Sequence, residues 1–422
     1  MTIARHTRLA ATGALLALAS LLSLACGVSE LFPSGSWGSP VTDGEHVYAA
    51  GGSTGDAVRV DLDGGSLDAD WTLGQRGREL GAIYAAPLNT DNVVYIGSYT
   101  CAEASCTSRI TGLPKSGSGR TADGALNYET PGTLAGPLAW YEPPPGADTG
   151  NLILFGTGLR QGDEGRVAAL DVDTRREAWS LSTDGDVWGG VAVDDGVGYF
   201  GTLGGTLHAI NLAPGTAAAD RILWSFDAGG PIISRPVVDA ENRRIHFGVL
   251  SNGQNLFTLN IDTRRRMVSG GVDSLGSGEW SLDAGGWVWA APLLLRGGDE
   301  LYFTTLQGEV SAADPADGRL LWSEPADVGQ TVLATPLAHP SDDEPERLFV
   351  ATYRGNVLQV DLGSRRVDQS ALVIDNGAGG TPLLVDDRVY VTTIGGELRE
   401  FDPSSLVQLS CINLNNVADD CG

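Results

Sequence analysis

The sequence predicts an all-β protein, a single eight-bladed β-propeller made of four-stranded antiparallel blades. Three observations point there. A unit of short strands and tight turns recurs with one fixed internal spacing, and its opening position returns about every 44 to 56 residues, the period of propeller blades. Gly (58) and Pro (20) are frequent, as a chain of short strands joined by turns requires. One such sheet alone exposes an apolar face and two edges; stacking sheets radially into a closed ring covers the faces and leaves only short edges.

The cleanest copy of the unit is TPLLVDDRVYVTTIGGELREFD, Thr381 to Asp402. A first strand follows Pro382, a turn at Asp386 and Asp387 leads into VYVTT, and Gly395-Gly396 turns the chain into ELREF. Alternation of apolar and polar residues at period two is the expected strand signature. Tyr199 to Asn211, Tyr302 to Asp314, Phe349 to Asp361 and Tyr390 to Asp402 are each twelve residues apart. A Trp eight residues after the closing Asp, as in Asp171 to Trp179 and Asp314 to Trp322, adds a fourth strand with a large anchor. Trp224 and Trp280 play that part too, each twelve residues before the next opening proline. The opening positions are Pro40, Pro87, Pro137, the Gly190-Val191 pair, Pro236, Pro292, Pro336 and Pro382, which gives eight blades.

Residues 1–25 carry Arg5 and Arg8 before a Leu- and Ala-rich run too short to be a typical spanning helix, and read as an export signal. The stretch LLSLACG resembles the bacterial lipoprotein signal, in which the Cys, here Cys26, becomes the lipidated N-terminus; Gly27 after it resembles the lipoproteins sent on to an outer membrane. An uncleaved membrane anchor is the alternative. Residues 26–36 then form a tether and 37–422 the propeller.

With Cys26 taking lipid, four cysteines remain, an even number in an exported chain, and the sequence-local pairing Cys101 with Cys106 and Cys411 with Cys421 is expected among three connectivities. No His or second Cys pair lies near Cys101 and Cys106 to complete a zinc site. The formal net charge of -26 argues against nucleic acid or an anionic membrane surface as partner, both of which need a basic footprint. Insertions at Tyr99–Leu126, Tyr141–Asn151 and Arg264–Glu279 are expected to be loops, and the acidic run Ser341–Glu346 a solvated hairpin tip.

No GxSxG elbow, Walker A loop or HExxH motif is present. The five His residues, His6, His46, His208, His246 and His339, are scattered over different repeats. Lys115, the only lysine, sits in a Gly- and Ser-rich stretch expected neither to desolvate it nor to lower its pKa. Asp61, Asp63, Asp68 and Asp70 offer oxygen ligands but lack the EF-hand order.

The segments GTLGGTLHAIN (Gly201–Asn211), TTLQGEVSAADPADGRLLW (Thr304–Trp322) and GRVAALDVDTRREAW (Gly165–Trp179) resemble the pyrroloquinoline-quinone-type, quinoprotein-dehydrogenase-like propeller repeat, from Trp37 to about Ser410. Within that superfamily, the resemblance to the quinone-dependent dehydrogenases implies a cofactor held between a Trp and a disulfide of adjacent Cys residues, above a calcium ion. This chain has no adjacent Cys pair, so neither cofactor nor enzymatic activity is expected. The resemblance to the lipid-anchored, non-enzymatic eight-bladed lipoproteins of outer-membrane assembly implies protein or peptide partners, the barrel-assembly machinery among them, and a monomeric scaffold. A surface-exposed binding or sensor propeller is a third reading.

Three residues before each opening position lie Trp37, Tyr84, Leu134, Trp188, Ile233, Trp289, Leu333 and Gly379. Equivalent register places them in a ring at one mouth of the central channel. Trp37, Tyr84, Trp188 and Trp289 either fill seams between blades or form an apolar anchor for partners.

Overall fold

The computed structural model describes residues 38–422 except 52–55, 64, 69–70, 72–79, 103–104, 117–125, 159–164, 264–272, 373–376, 418, 420 and 422. It contains eight four-stranded antiparallel sheets, each formed by four strands consecutive in the chain. The blades span 41–67, 88–131, 139–183, 192–227, 237–282, 293–327, 337–372 and 383–413. First strands of neighbouring blades lie side by side around the centre, which makes the first strand innermost in each.

The two middle strands of each blade depart from simple alternation. Leu152–Gly158 is buried along its whole length, and Val197–Gly201 and Leu348–Ala351 are buried on both faces. The reason is that each sheet is covered by a neighbour on either side, so both faces of its middle strands sit in apolar surroundings and a continuous apolar run replaces the period-two pattern. The turn at Asp386 and Asp387 has positive φ at both residues (48° and 53°), the geometry of a tight type I′ hairpin.

Eight separate apolar clusters fill the eight seams between neighbouring blades. Phe226, Phe247 and Phe257 fill the seam of blades four and five, for example, and Val58, Val60, Tyr390 and Leu398 that of blades eight and one. The tryptophans of the fourth strands tie the seams. Trp71, Trp224 and Trp280 donate their indole N–H to the carbonyls of Pro114, Ile261 and Pro315, at 2.8, 3.3 and 3.0 Å, each at the end of the next blade's third strand. Trp71, Trp224 and Trp322 pack edge-on or tilted against the second-strand aromatic of their own blade, Tyr48–Trp71 at 5.2 Å, Tyr199–Trp224 at 6.0 Å and Tyr302–Trp322 at 5.8 Å. In blades one, four and six the second-strand aromatic is therefore the platform for the Trp near the end of the blade, and each such pair contributes about 0.5–1.5 kcal/mol beyond area burial.

One of the expected loops differs. The stretch from Tyr99 is a continuation of the sheet: Val93–Ala102 and Ser105–Pro114 pair along their full length into a long hairpin in blade two. Cys101 and Cys106 are directly opposed near its tip, Cα atoms 4.0 Å apart, and form a disulfide. A second disulfide joins Cys411, in the last strand, to Cys421 in the tail. Lys115 is not in a loose loop: its Nζ lies 3.2 Å from the Asp43 carboxylate, over the Tyr48 ring. The Tyr141–Asn151 insertion joins strands as expected, residues 264–272 of the Arg264–Glu279 insertion lie outside the described residues, and the acidic run Ser341–Glu346 is a hairpin tip, exposed but for Pro345.

Candidate functional site at the channel mouth

In a four-stranded meander, the linker entering the first strand and the hairpin joining the second and third strands emerge at the same end of the sheet. One backbone contact repeats there. The N–H of the hairpin residue four positions after the second-strand platform donates to the carbonyl five residues before the opening position. The pairs are Leu203 to Asp186 (2.9 Å), Leu250 to Pro231 (2.9 Å), Leu306 to Trp287 (2.9 Å), Tyr353 to Thr331 (2.8 Å) and Ile394 to Gly377 (2.8 Å). Tyr99 to Ala82 (3.1 Å) and Gly158 to Thr133 (3.0 Å) complete the set in blades two and three. These bonds pin linkers to hairpins and build a collar of mostly apolar side chains around the channel mouth.

The same contact corrects the register of blade three. Counting five residues on from Thr133 puts the opening position at Leu138, not Pro137, and its first strand begins at Ala139. The ring residue of blade three is thus Ala135. Leu134 points the other way, 1% exposed, in the seam with blade two, where its methyl groups occupy the space a side chain at Gly97 would need. One extra residue in the linker shifts the proline by one.

The remaining ring residues divide by exposure. Trp37 and Cys26 lie outside the described residues. Tyr84 is half-buried and stacks on Tyr99 of the long hairpin, ring centroids 5.7 Å apart. Burial pushes both phenols upward in pKa, and they share a hydrogen bond. Trp188 and Trp289, from blades four and six, meet edge to face at 6.3 Å across intervening blade five, whose ring residue Ile233 is buried beneath them. Leu203, Leu250, Trp287 and Leu306 complete this cluster, which belongs to no seam. Trp188 also donates its indole N–H to Asp186 at 3.3 Å. The hairpin residues Leu203, Leu250 and Leu306 were not singled out from the sequence, although their constant offset from the second-strand platform was there to be read.

The opposite end of the ring carries a polar cleft lined by Asp43, Glu45, Asn89, Thr90, Asp91 and Lys115. Burial works against the Asp43 carboxylate, but hydrogen bonds from Tyr48, from the His46 and Glu45 backbone and from Lys115 outweigh it and hold its pKa well below the usual range. Of the aspartates after the third strand of blade one, Asp61 accepts the Asp63 N–H and Asp68 pairs with Arg59, while Asp70 lies outside the described residues. Among the described residues the one convergence of metal-ligating types is Glu397 with Cys411 and Cys421, whose sulfurs are bonded to each other.

A sequence profile described as "Outer membrane protein assembly factor BamB" matches residues 163–405, more than half of the chain. This chain belongs to the BamB family. The curated BamB of Shigella dysenteriae serotype 1 (strain Sd197) is 28% identical over 275 residues, covering 58% of this chain and 62% of that protein. That of Escherichia coli (strain K12) is 27% identical over the same length and coverage. The match thus spans about 62% of the length of these BamB relatives. Among solved structures, BamB from Moraxella catarrhalis superposes with a TM-score of 0.54 at 12% identity, covering 78% of this chain and 85% of that one. The computationally designed Ika8 protein does so at 0.56 and 14%, covering 88% and 97%. At these identities the structural likenesses establish the fold alone.

Proposed function

We propose that this chain is an exported, lipid-anchored, non-enzymatic propeller that holds protein or peptide partners at its channel mouth during outer-membrane protein assembly. The observation that carries the reading is membership of the BamB family, whose described role is outer-membrane protein assembly. In this reading residues 1–25 are removed on export, Cys26 takes the lipid, residues 26–36 are a tether, and the monomeric ring stands off the membrane with barrel-assembly components as partners. The mouth supports it physically: half-buried aromatics in a concave apolar collar are the kind of anchor that partner side chains use. The acidic surface fits a protein kept soluble in an export compartment.

The test is capture from native membranes. Tagged full-length chain, crosslinked and extracted in detergent, is expected to bring down barrel-assembly components, and a Trp289→Ala variant that its melting curve shows folded at the assay temperature is expected to bring down less. Recovery of the chain without any such component would sink the reading.

A further inference from the structure

The residue just before the opening position is small in six blades: Ser39, Ala86, Gly190, Ala291, Thr335 and Thr381. In blade five it is Arg235, one residue past a bend at Ser234 and two before the innermost strand Val237–Asp239. Arg235 is solvent-exposed, yet the protein around it desolvates the guanidinium and lowers its pKa. The innermost strands of blades four and five, whose entry linkers Arg235 bridges, face the central channel. Its hydrogen bond among the described residues goes to the Val191 carbonyl of blade four, at 3.3 Å, and no carboxylate there pairs with it. In a chain of formal net charge -26, this cation retains most of its donors for something else.

Ile233 is two residues before Arg235, within about 7 Å along the chain, and Trp188 and Trp289 meet over it. An apolar floor and aromatic lip thus sit one step outside a free guanidinium. We infer that the mouth receives the C-terminus of a polypeptide, its carboxylate on Arg235 and its apolar last side chain against Ile233, Trp188 and Trp289. A planar guanidinium binds a carboxylate through two parallel hydrogen bonds. A polypeptide is favoured over a small aromatic acid because the apolar cluster also takes in Leu203, Leu250, Trp287 and Leu306, more side chains than one residue covers. The inference rests on the reading of the mouth as the partner face and names what it recognises there.

The experiment is fluorescence anisotropy on the purified full chain with a dye-labelled hexapeptide of Gly and Ser ending in Phe, as the free acid and as the C-terminal amide. The free acid is expected to bind saturably and the amide about tenfold more weakly or worse, about 1.4 kcal/mol. Arg235→Gln is expected to bind both forms equally weakly, and Arg235→Lys to restore part of the preference. Equal affinity of acid and amide for the unsubstituted chain, or no saturation with either peptide, overturns the inference even if Arg235→Gln does not fold. N-acetylphenylalanine competing as tightly as the peptide overturns the polypeptide assignment. Capture of barrel-assembly components without any C-terminal preference sinks this inference and leaves the proposed function standing; the preference without capture does the reverse.

Discussion

The Thr381 N–H donates to Ser39 Oγ at 2.7 Å, joining residues 342 positions apart in the chain. Close by, the Thr392 hydroxyl donates to the Gly38 carbonyl. These contacts and one apolar seam close the ring, since no strand of blade one pairs into the sheet of blade eight. Ser39→Ala is expected to cost about 0.5–1.5 kcal/mol, the net value of one hydrogen bond. Leu398→Ala in the closing seam, 2% exposed, should cost about 2–5 kcal/mol through the cavity it leaves. Urea unfolding curves of the two variants check the ranking; an equal or reversed effect contradicts closure by packing.

Trp188 and Trp289 are half-buried and lie in the mouth cluster, outside the seams. Substituting either by Ala is expected to lower stability by less than the 3–5 kcal/mol typical of a fully buried Trp, while weakening partner capture. Trp224→Ala, 5% exposed in the seam of blades four and five, is expected to take the full stability loss. Thermal melts beside capture assays separate the two classes.

The Cys26→Ser variant is expected to leave the membrane fraction for the soluble one. Intact-mass analysis of the membrane-extracted protein should show a lipidated chain beginning at Cys26. A mass that retains residues upstream of Cys26 contradicts this assignment.

Peptide mapping without reductant is expected to yield one linkage of Cys101 to Cys106 and one of Cys411 to Cys421. Each closes a short loop, so Cys101→Ser and Cys421→Ser should each cost at most about 2–3 kcal/mol. A peptide joining either pair to the other rules the assignment out.

His246 is fully buried on the face of blade five that packs against blade six, its Nδ1 2.7 Å from the Thr258 hydroxyl. Burial lowers its pKa from 6.5 to about 4, with Asp239 opposing weakly and Arg244 assisting. Between those values the unfolded chain binds a proton that the folded chain does not. The stability this group provides is therefore full above pH 6.5 and falls as pH drops toward 4, by up to about 3 kcal/mol. His246→Gln should flatten that part of the pH-stability profile; an unchanged slope contradicts the assignment to His246.

The ring and its eight blades were legible because the platform aromatic, the closing Asp and the fourth-strand Trp are tied by geometry inside one sheet, so their spacing survives wherever the sheet does. Blade three slipped by one because Pro137 marks a linker, and a linker absorbs an extra residue that a paired strand rejects. The seam residues were legible as apolar runs, but which aromatic faces the mouth was not. Trp224 and Trp188 look alike in sequence, and only the blade into which each ring folds separates them. Arg235 carried no local signal, since its meaning comes from the small residues at equivalent positions on the other blades.

Each blade is a single unbroken stretch of chain, so no sheet waits for a distant strand. A polypeptide that emerges from an export channel N-terminus first can therefore complete every sheet in order of arrival, holding at most one unfinished edge at any moment, with the joining of first and last blades as the final event. By the same logic the ring has no privileged beginning: a gene rearranged to start at any inter-blade linker encodes the same eight sheets.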